Sequence, residues 1–314
     1  MWLAGEPGRR NAATGQNGCK IVMDDSSFQF KRDFSATRGG PPGAPLHGVD
    51  VQRIETHSTQ LLHEELAAEV PVAIQFNGRS HAVMLATPSD LADFAVGFAL
   101  TERIVSTVAQ IQSLDIRWTD HGVVLELLIP VERAAGLLLR DRNMTGRTGC
   151  GLCGAATLEA AIRPVRHVPQ GQPGLTAAGI WHGMRQLAER QPLNAVTGAV
   201  HAAGLLAMDG SLTVREDVGR HNAIDKAVGA VMKAGGKPRS LLVTSRASYE
   251  VVHKAAEVGC GLVAAISAPT ALALQLAREA GVTLVGWTRE SRLSVYCGTL
   301  CDTTDIDRFT RCSA

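Results

Sequence analysis

From Ser240 onward the apolar positions fall into a repeating order. Ser240-Leu-Leu-Val-Thr-Ser245, Leu262-Val-Ala-Ala-Ile-Ser267 and Thr283-Leu-Val-Gly-Trp287 are short, continuous apolar runs. Between them, Tyr249 to Val258 and Ala271 to Ala280 have helical spacing. Arg246-Ala-Ser248 and Ala268-Pro269-Thr270 supply the starts, and Gly281 supplies a stop. Strands that are apolar throughout are buried on both faces. The order therefore predicts β-α-β-α-β, a parallel sheet with helices on both sides.

The first half of the chain has a different rhythm. Val70-Pro-Val-Ala-Ile-Gln-Phe76 alternates, Asn77-Gly78 signals a two-residue turn, and His81 to Ala86 returns as the partner strand. Thr87-Pro88-Ser-Asp90 reads as a capping box with Pro at the first helical position. It predicts a helix from Leu91 to about Ile104, with Leu91, Phe94, Ala95 and Phe98 on one face. Leu114 to Trp118 and Val123 to Ile129 form a second hairpin across Asp120-His121-Gly122. The result is a small ββαββ unit over 51–135, expected to be structural. Residues 1–50 carry Gly, Pro and scattered charge without a period, and are expected to be a mostly disordered tail. Residues 136–314 form the larger unit. In it, Leu175 to Arg190 is helical up to Pro192, and Ala202 to Met208 pairs with Leu212 to Glu216 across Asp209-Gly210.

Composition narrows the function classes. A hydrophobic share of 45% and a charged share of 19% are those of an ordinary globular protein. A net charge of +1 gives no general attraction to nucleic acid or to membranes, and 4% aromatic residues leave few platforms for stacked bases. Apolar runs break well before the roughly 20 residues needed to span a bilayer. Neither nucleic acid nor a membrane is an expected partner, and the cytoplasm is the expected location.

Thr148-Gly-Cys-Gly-Leu-Cys-Gly154 is the stretch most suggestive of chemistry. Cys150 and Cys153 stand among glycines, just before an alanine-rich, helix-friendly run from Ala155 to Ile162. A helix N-terminus lowers a thiol pKa and favours thiolate. The same spacing suits half of a structural zinc site, a redox disulfide, or two buried cysteines. Cys19, Cys260, Cys297, Cys301 and Cys312 offer no second Cys-x-x-Cys, which disfavours a four-cysteine zinc ribbon and leaves no expected resident metal. Arg140, Arg142 and Arg147 precede the pair, as a solvated face or as a means to steer an anion or hold a thiolate.

Arg215-Glu-Asp-Val-Gly-Arg-His-Asn-Ala-Ile-Asp-Lys226 places eight polar or ionisable residues in twelve positions, where a strand passes to a helix. It is either a charged surface turn or a preorganised polar site. At helical spacing His221 and Asp225 share a face, as do Asn222 and Lys226. Ligands on parallel sheets bind beyond the strand C-termini, at helix N-termini. Those points are Ser245 to Ser248, Ser267 to Thr270 and Trp287 to Arg292, whose serines and arginines suit a phosphate-bearing ligand. No P-loop and no Gly-x-Gly-x-x-Gly fingerprint is present.

The Cys-Gly-Leu-Cys-Gly loop, the run Glu216 to Lys226, Ser245-Arg-Ala-Ser-Tyr-Glu250, Ser267-Ala-Pro-Thr270 and Ala280-Gly-Val-Thr-Leu-Val-Gly-Trp287 resemble the formate dehydrogenase accessory sulfurtransferase (FdhD) family. The resemblance covers about Glu65 to Tyr296. It implies an α/β fold of the cytidine-deaminase type, with a mixed or parallel sheet, helices on both faces, a small added α+β N-terminal domain, and a homodimer. It implies transfer of sulfur, as a persulfide, from a cysteine desulfurase to the molybdenum cofactor of a formate dehydrogenase. That cofactor, bis-molybdopterin guanine dinucleotide, is cargo. The family's persulfide cysteine falls on Cys150; Cys153, three residues on, is placed either to attack its inner sulfur or only to tune it. Its guanine dinucleotide site falls on Trp287, Thr288, Arg289, Glu290, Ser291 and Arg292. Asp217, His221, Ser245 and Ser267 are further candidates for holding the cofactor, and Asp225 for orienting it or holding the dimer.

Glu102-Arg103 departs from the Glu-Gly more usual in the family, and is expected to affect only the helix end. A zinc deaminase, the function that the fold type alone suggests, needs His-x-Glu and Pro-Cys-x-x-Cys, and neither is present in a suitable place. A cofactor-binding chaperone without sulfur chemistry is the remaining alternative; it would tolerate loss of Cys150.

Overall fold

The structure is a computed structural model that describes residues 18–22, 43–141, 164–169, 175–207, 210–289 and 292–301. The first part contains β1 (Gly18–Val22), β2 (Leu46–Glu55), β3 (Ser58–Ala67), β4 (Val70–Phe76), β5 (Arg79–Ala86), α1 (Leu91–Thr101), β6 (Ser113–Thr119), β7 (Gly122–Leu128) and α2 (Val131–Asp141). The second contains α3 (Ala177–Glu189), α4 (Pro192–Thr197), β8 (His201–Leu206), β9 (Leu212–Asp217), α5 (Arg220–Lys233), β10 (Ser240–Val243), α6 (Tyr249–Glu257), β11 (Leu262–Ala265), α7 (Ala271–Ala280), β12 (Thr283–Arg289) and β13 (Arg292–Cys297).

The larger sheet runs β13-β12-β11-β10-β8-β9. Its centre, β10-β11-β12, is parallel, as the apolar runs predict, while β8, β9 and β13 are antiparallel additions. Side chains alternate between the two faces. Leu241, Val243, Val263 and Leu284 pack under α5, α6 and α7, whereas Leu242, Ala264 and Val285 meet Ile180, Met184 and Leu187 of α3. Both faces are thus covered, and the α/β class is the one expected.

The smaller sheet runs β1-β6-β7-β4-β5, with β4 and β7 parallel at its centre. The two expected hairpins, β4-β5 and β6-β7, are both present. The boundary expected at residue 50 falls inside β2, which pairs with β3 along its whole length. Within the tail expected to lack structure, Gly18–Val22 also pairs with β6. The β2-β3 hairpin lacks a sustained apolar period, because it exposes most of its side chains.

Helix α1 of the first part lies on α5 of the second. Their crossing is set by two glycines. A Cβ built on Gly97 would stand 1.7 Å from the Asp225 carbonyl oxygen, and one on Gly229 would stand 1.9 Å from that of Asp93. Only hydrogen fits at either place. Phe94 and Phe98 of α1 then join Ile224 and Val228 of α5 in one apolar core that reaches both sheets.

Replacing either glycine with valine is expected to destabilise the chain by about 3 kcal/mol, through overpacking against backbone. Gly78, at φ 77° with open space around it, is the control: Gly78→Ala is expected to cost only about 1 kcal/mol, from the conformation alone. Denaturant midpoints of the three variants check both figures.

Candidate functional site

Strand direction gathers the site. β8 runs against β10, so its first residue, His201, lies at the edge where β10 ends, and Thr244 N–H bonds to Ala202 O there (3.1 Å). Asp217, the last residue of β9, stands opposite His201. The loops after β10 and β11 are tied together by a bridge between Ala247 and Pro269 and by Thr270 N–H to Ala247 O (3.0 Å). The end of β12 joins them through Trp287 N–H to Ser267 O (3.2 Å). Ser245, Ser267 and Trp287, picked out by their place after apolar strands, therefore share one edge with the start of α5.

Arginines crowd this edge. Arg289 and Arg292 are cross-strand partners at the β12-β13 end, and both are exposed. Like charges directly opposed repel, so the pair favours an anion between or beside them. A bulge between Gly286 and Arg289, with Trp287 at φ 54°, turns the strand there, and the Arg289 guanidinium stands 5.7 Å from the Trp287 ring centroid. Thr288 faces inward: its hydroxyl donates to Ala265 O (2.6 Å) and it is 2% exposed, so it supports the strand and is not a ligand contact. Ser245 is also buried and donates to Arg246 O (3.0 Å).

His221 lies in the first turn of α5, with Gly219 as the N-cap and no side chain capping the turn. The residue is 7% exposed, and its Nε2 has no hydrogen-bond partner among the described residues. The Glu250 carboxylate lies 3.7 Å away, an ion-pair distance, and accepts from the Ser248 hydroxyl (3.0 Å). Burial works against ionisation of Glu250, but His221, its own backbone N–H and Ser248 outweigh it and bring its pKa down to about 2. Burial, then the charges of Arg220 and His221, hold His201 below its ordinary value. A buried imidazole, an uncapped helix N-terminus and a surplus of cations suit a phosphate-bearing ligand.

The rest of the polar run lies behind this edge. Asp217 is fully buried. It pairs with Lys226 (2.6 Å), which is also fully buried, and accepts from Asn222 (2.9 Å), Gly219 N–H (2.8 Å) and Thr87 N–H (3.0 Å). Its acceptor positions are used within the chain, so it positions the loop before His221 and does not meet cofactor. Thr87 is correspondingly not the cap of α1: its hydroxyl accepts from Val218 N–H (3.1 Å) and its carbonyl from Lys226 Nζ (2.9 Å), while Asp90 is the N-cap residue. Asp225 is fully buried too, bonded to Lys254 (2.9 Å) and to the Thr101 hydroxyl (2.7 Å). Burial pushes its carboxyl up. Lys254 loses hydration as well, but facing both Asp225 and Glu102 it is held above its ordinary value.

Cys150, Cys153, Glu290 and Ser291 lie outside the described residues. Among the described cysteines, Cys260 is fully buried and burial pushes its thiol up to about 12. Cys297, half-buried with its thiol on Val282 O (3.4 Å), is also pushed up. Arg220, part of the polar run, joins the edge, and so do His201 and Glu250, which were not singled out in the sequence. Glu250 stood inside a recognised motif. His201 could be placed only once β8 was known to run against β10.

Fold and edge together define an α/β protein with a cationic, helix-flanked strand end. The chain belongs to the FdhD/NarQ family, whose profile matches residues 67–300. It is 46% identical over 264 residues to the sulfur carrier protein FdhD of Cupriavidus necator, covering 82% of this chain and 90% of that protein. It is 44% identical to the sulfur carrier protein FdhD of Xanthomonas axonopodis pv. citri, covering 83% and 93%. A crystal structure of a proposed formate dehydrogenase accessory protein from Desulfotalea psychrophila shares the fold. Its TM-score is 0.62 at 24% identity, over 81% of this chain and 98% of that one.

Two measurements test the buried arrangement. Lys226→Met leaves the Asp217 carboxylate buried and unpaired, and is expected to cost about 3–5 kcal/mol in urea unfolding. Glu250, with its folded pKa lowered from 4.5 to about 2, adds stability that is complete above pH 4.5 and disappears as pH falls through about 2. Glu250→Gln should therefore remove that part of the acid dependence of the unfolding free energy and leave the slope above pH 5 unchanged.

Proposed function

We propose that this chain is a sulfur carrier for a formate dehydrogenase. It accepts sulfur from a cysteine desulfurase on Cys150 and delivers it to bis-molybdopterin guanine dinucleotide, before that cargo enters the dehydrogenase. The observation that carries the reading is the cationic sheet edge, found in a chain whose family relatives are named sulfur carrier proteins. The homodimer and the cytoplasmic location belong to the same reading. Among the described residues, no helix is long and apolar enough to cross a membrane.

The residues supply a consistent chemistry. The Cys150 thiolate attacks the outer sulfur of the donor's persulfide, which releases the donor's thiolate and leaves Cys150 as a persulfide. The Cys153 thiolate then attacks the inner sulfur, forming a Cys150–Cys153 disulfide and freeing the outer sulfur as hydrosulfide for the cargo. A dithiol reductant restores both thiols. The edge fits the cargo's phosphates: Arg289 and Arg292 can give bidentate bonds, His221 Nε2 a further one, and the first turn of α5 its backbone N–H groups.

Intact-protein mass spectrometry after incubation with a cysteine desulfurase and cysteine is expected to show one added sulfur on the Cys150 peptide. Cys150→Ala should abolish it while guanosine diphosphate still binds; loss of both would count against this division of roles. Arg289→Ala is expected to weaken guanosine diphosphate binding by about tenfold to a hundredfold, the worth of a charged hydrogen bond, with sulfur loading intact.

A further inference from the structure

Helix α1 ends in a turn made by Arg103 N–H to Leu100 O (3.1 Å) and Ile104 N–H to Ala99 O (2.9 Å), which places Arg103 at φ 57°. Glycine is the usual residue at this point of such a turn, because a Cβ there is strained. Arginine stands here instead, and its guanidinium grips both carboxylate oxygens of Glu257, in the last turn of α6. The Glu257 side chain is 3% exposed. The residue before makes the reciprocal pair, Glu102 with Lys254 of the same helix (2.9 Å). Two ion pairs of opposite sense thus fasten the end of α1 to α6. The departure from Glu-Gly reaches well beyond the helix end.

Glu257 also holds a third segment. Its Oε1 accepts the backbone N–H of Arg166 (3.4 Å) and lies 3.7 Å from His253 Nε2. Two residues on, Val168 N–H bonds to Ala280 O (2.8 Å). Residues 164–169 are the first described residues after the segment that contains Cys150 and Cys153. A guanidinium fork fixes both oxygens of a carboxylate in one plane, which an ammonium cannot do. With that fork in place, Glu257 presents Oε1 to Arg166.

We propose that Arg103 is a positioning residue. Through Glu257 it fixes the backbone at Arg166, and so sets where the polypeptide that follows Cys150 and Cys153 is fastened to the α/β unit. Its consequence for sulfur loading rests on the sulfur-carrier reading; its effect on the backbone does not.

The test compares Arg103→Gly, which relieves the strained turn and removes the fork, with Arg103→Lys, which keeps the charge alone. Amide exchange over residues 164–169 is expected to quicken by about tenfold in Arg103→Gly and less in Arg103→Lys, with β10 and β11 unchanged. The rate of sulfur loading on Cys150 should fall several-fold at unchanged final stoichiometry. Wild-type exchange over 164–169 in Arg103→Gly overturns the proposal. Faster exchange throughout the chain also overturns it, since the role would be merely global, as does local loosening with a wild-type loading rate. If wild-type protein takes up no sulfur on Cys150, the sulfur-carrier reading fails, and the exchange comparison still decides the role of Arg103 in the backbone.

Discussion

The contact of Gly97 with the Asp225 carbonyl, mirrored by Gly229 with that of Asp93, governs the rest of the molecule. It brings two helix backbones together with no side chain between them. At that separation, Thr101 reaches Asp225 and Lys254 reaches Thr101, Glu102 and Asp225 at once. Burying four such charged groups, Asp217, Lys226, Asp225 and Lys254, costs several kcal/mol per ion in lost hydration, which only well-formed pairs offset. Dispersion and apolar burial around Phe94 and Phe98 supply the attraction. The charges make one docking geometry better than its neighbours.

That division explains how the polar run serves the sheet edge. Asp217 binds the N–H of Gly219 and the amide of Asn222, which settles the turn just before α5. Asn222 in addition donates to Leu85 O of the smaller sheet (2.8 Å). The imidazole of His221 projects from this fixed turn toward Glu250. The ionisable residues of one short run thus divide into those that brace, such as Asp217 and Lys226, and those at the edge, Arg220 and His221, of which His221 faces Glu250.

The fold was legible where burial and local period coincide. The strands β10, β11 and β12 are apolar because both faces are covered, and the loops after them fall at one edge for any parallel sheet. Other features depend on partners distant in sequence. Thr87 looked like a helix cap because its neighbours, Pro88 and Asp90, are cap residues; Val218 and Lys226, its actual partners, lie far along the chain. Asp217 and Asp225 read as exposed chemistry because unpaired carboxylates are rarely buried, and their lysine partners cannot be assigned from spacing alone. Strands β2 and β3 expose most side chains and so carry no apolar signature. Arg103 gave a signal, an arginine where the resemblance leads one to expect glycine, but not its reach to Glu257.

Cys260 matters for the fidelity of any sulfur traffic. A sulfane sulfur passes to a thiolate, and a thiol pushed up to about 12 presents almost none at neutral pH. Solvent, donor and reductant are all excluded from it, since it is fully buried. Cys260, among the described residues, is therefore closed to persulfide exchange. Sulfur loaded on such a carrier would have no route to Cys260.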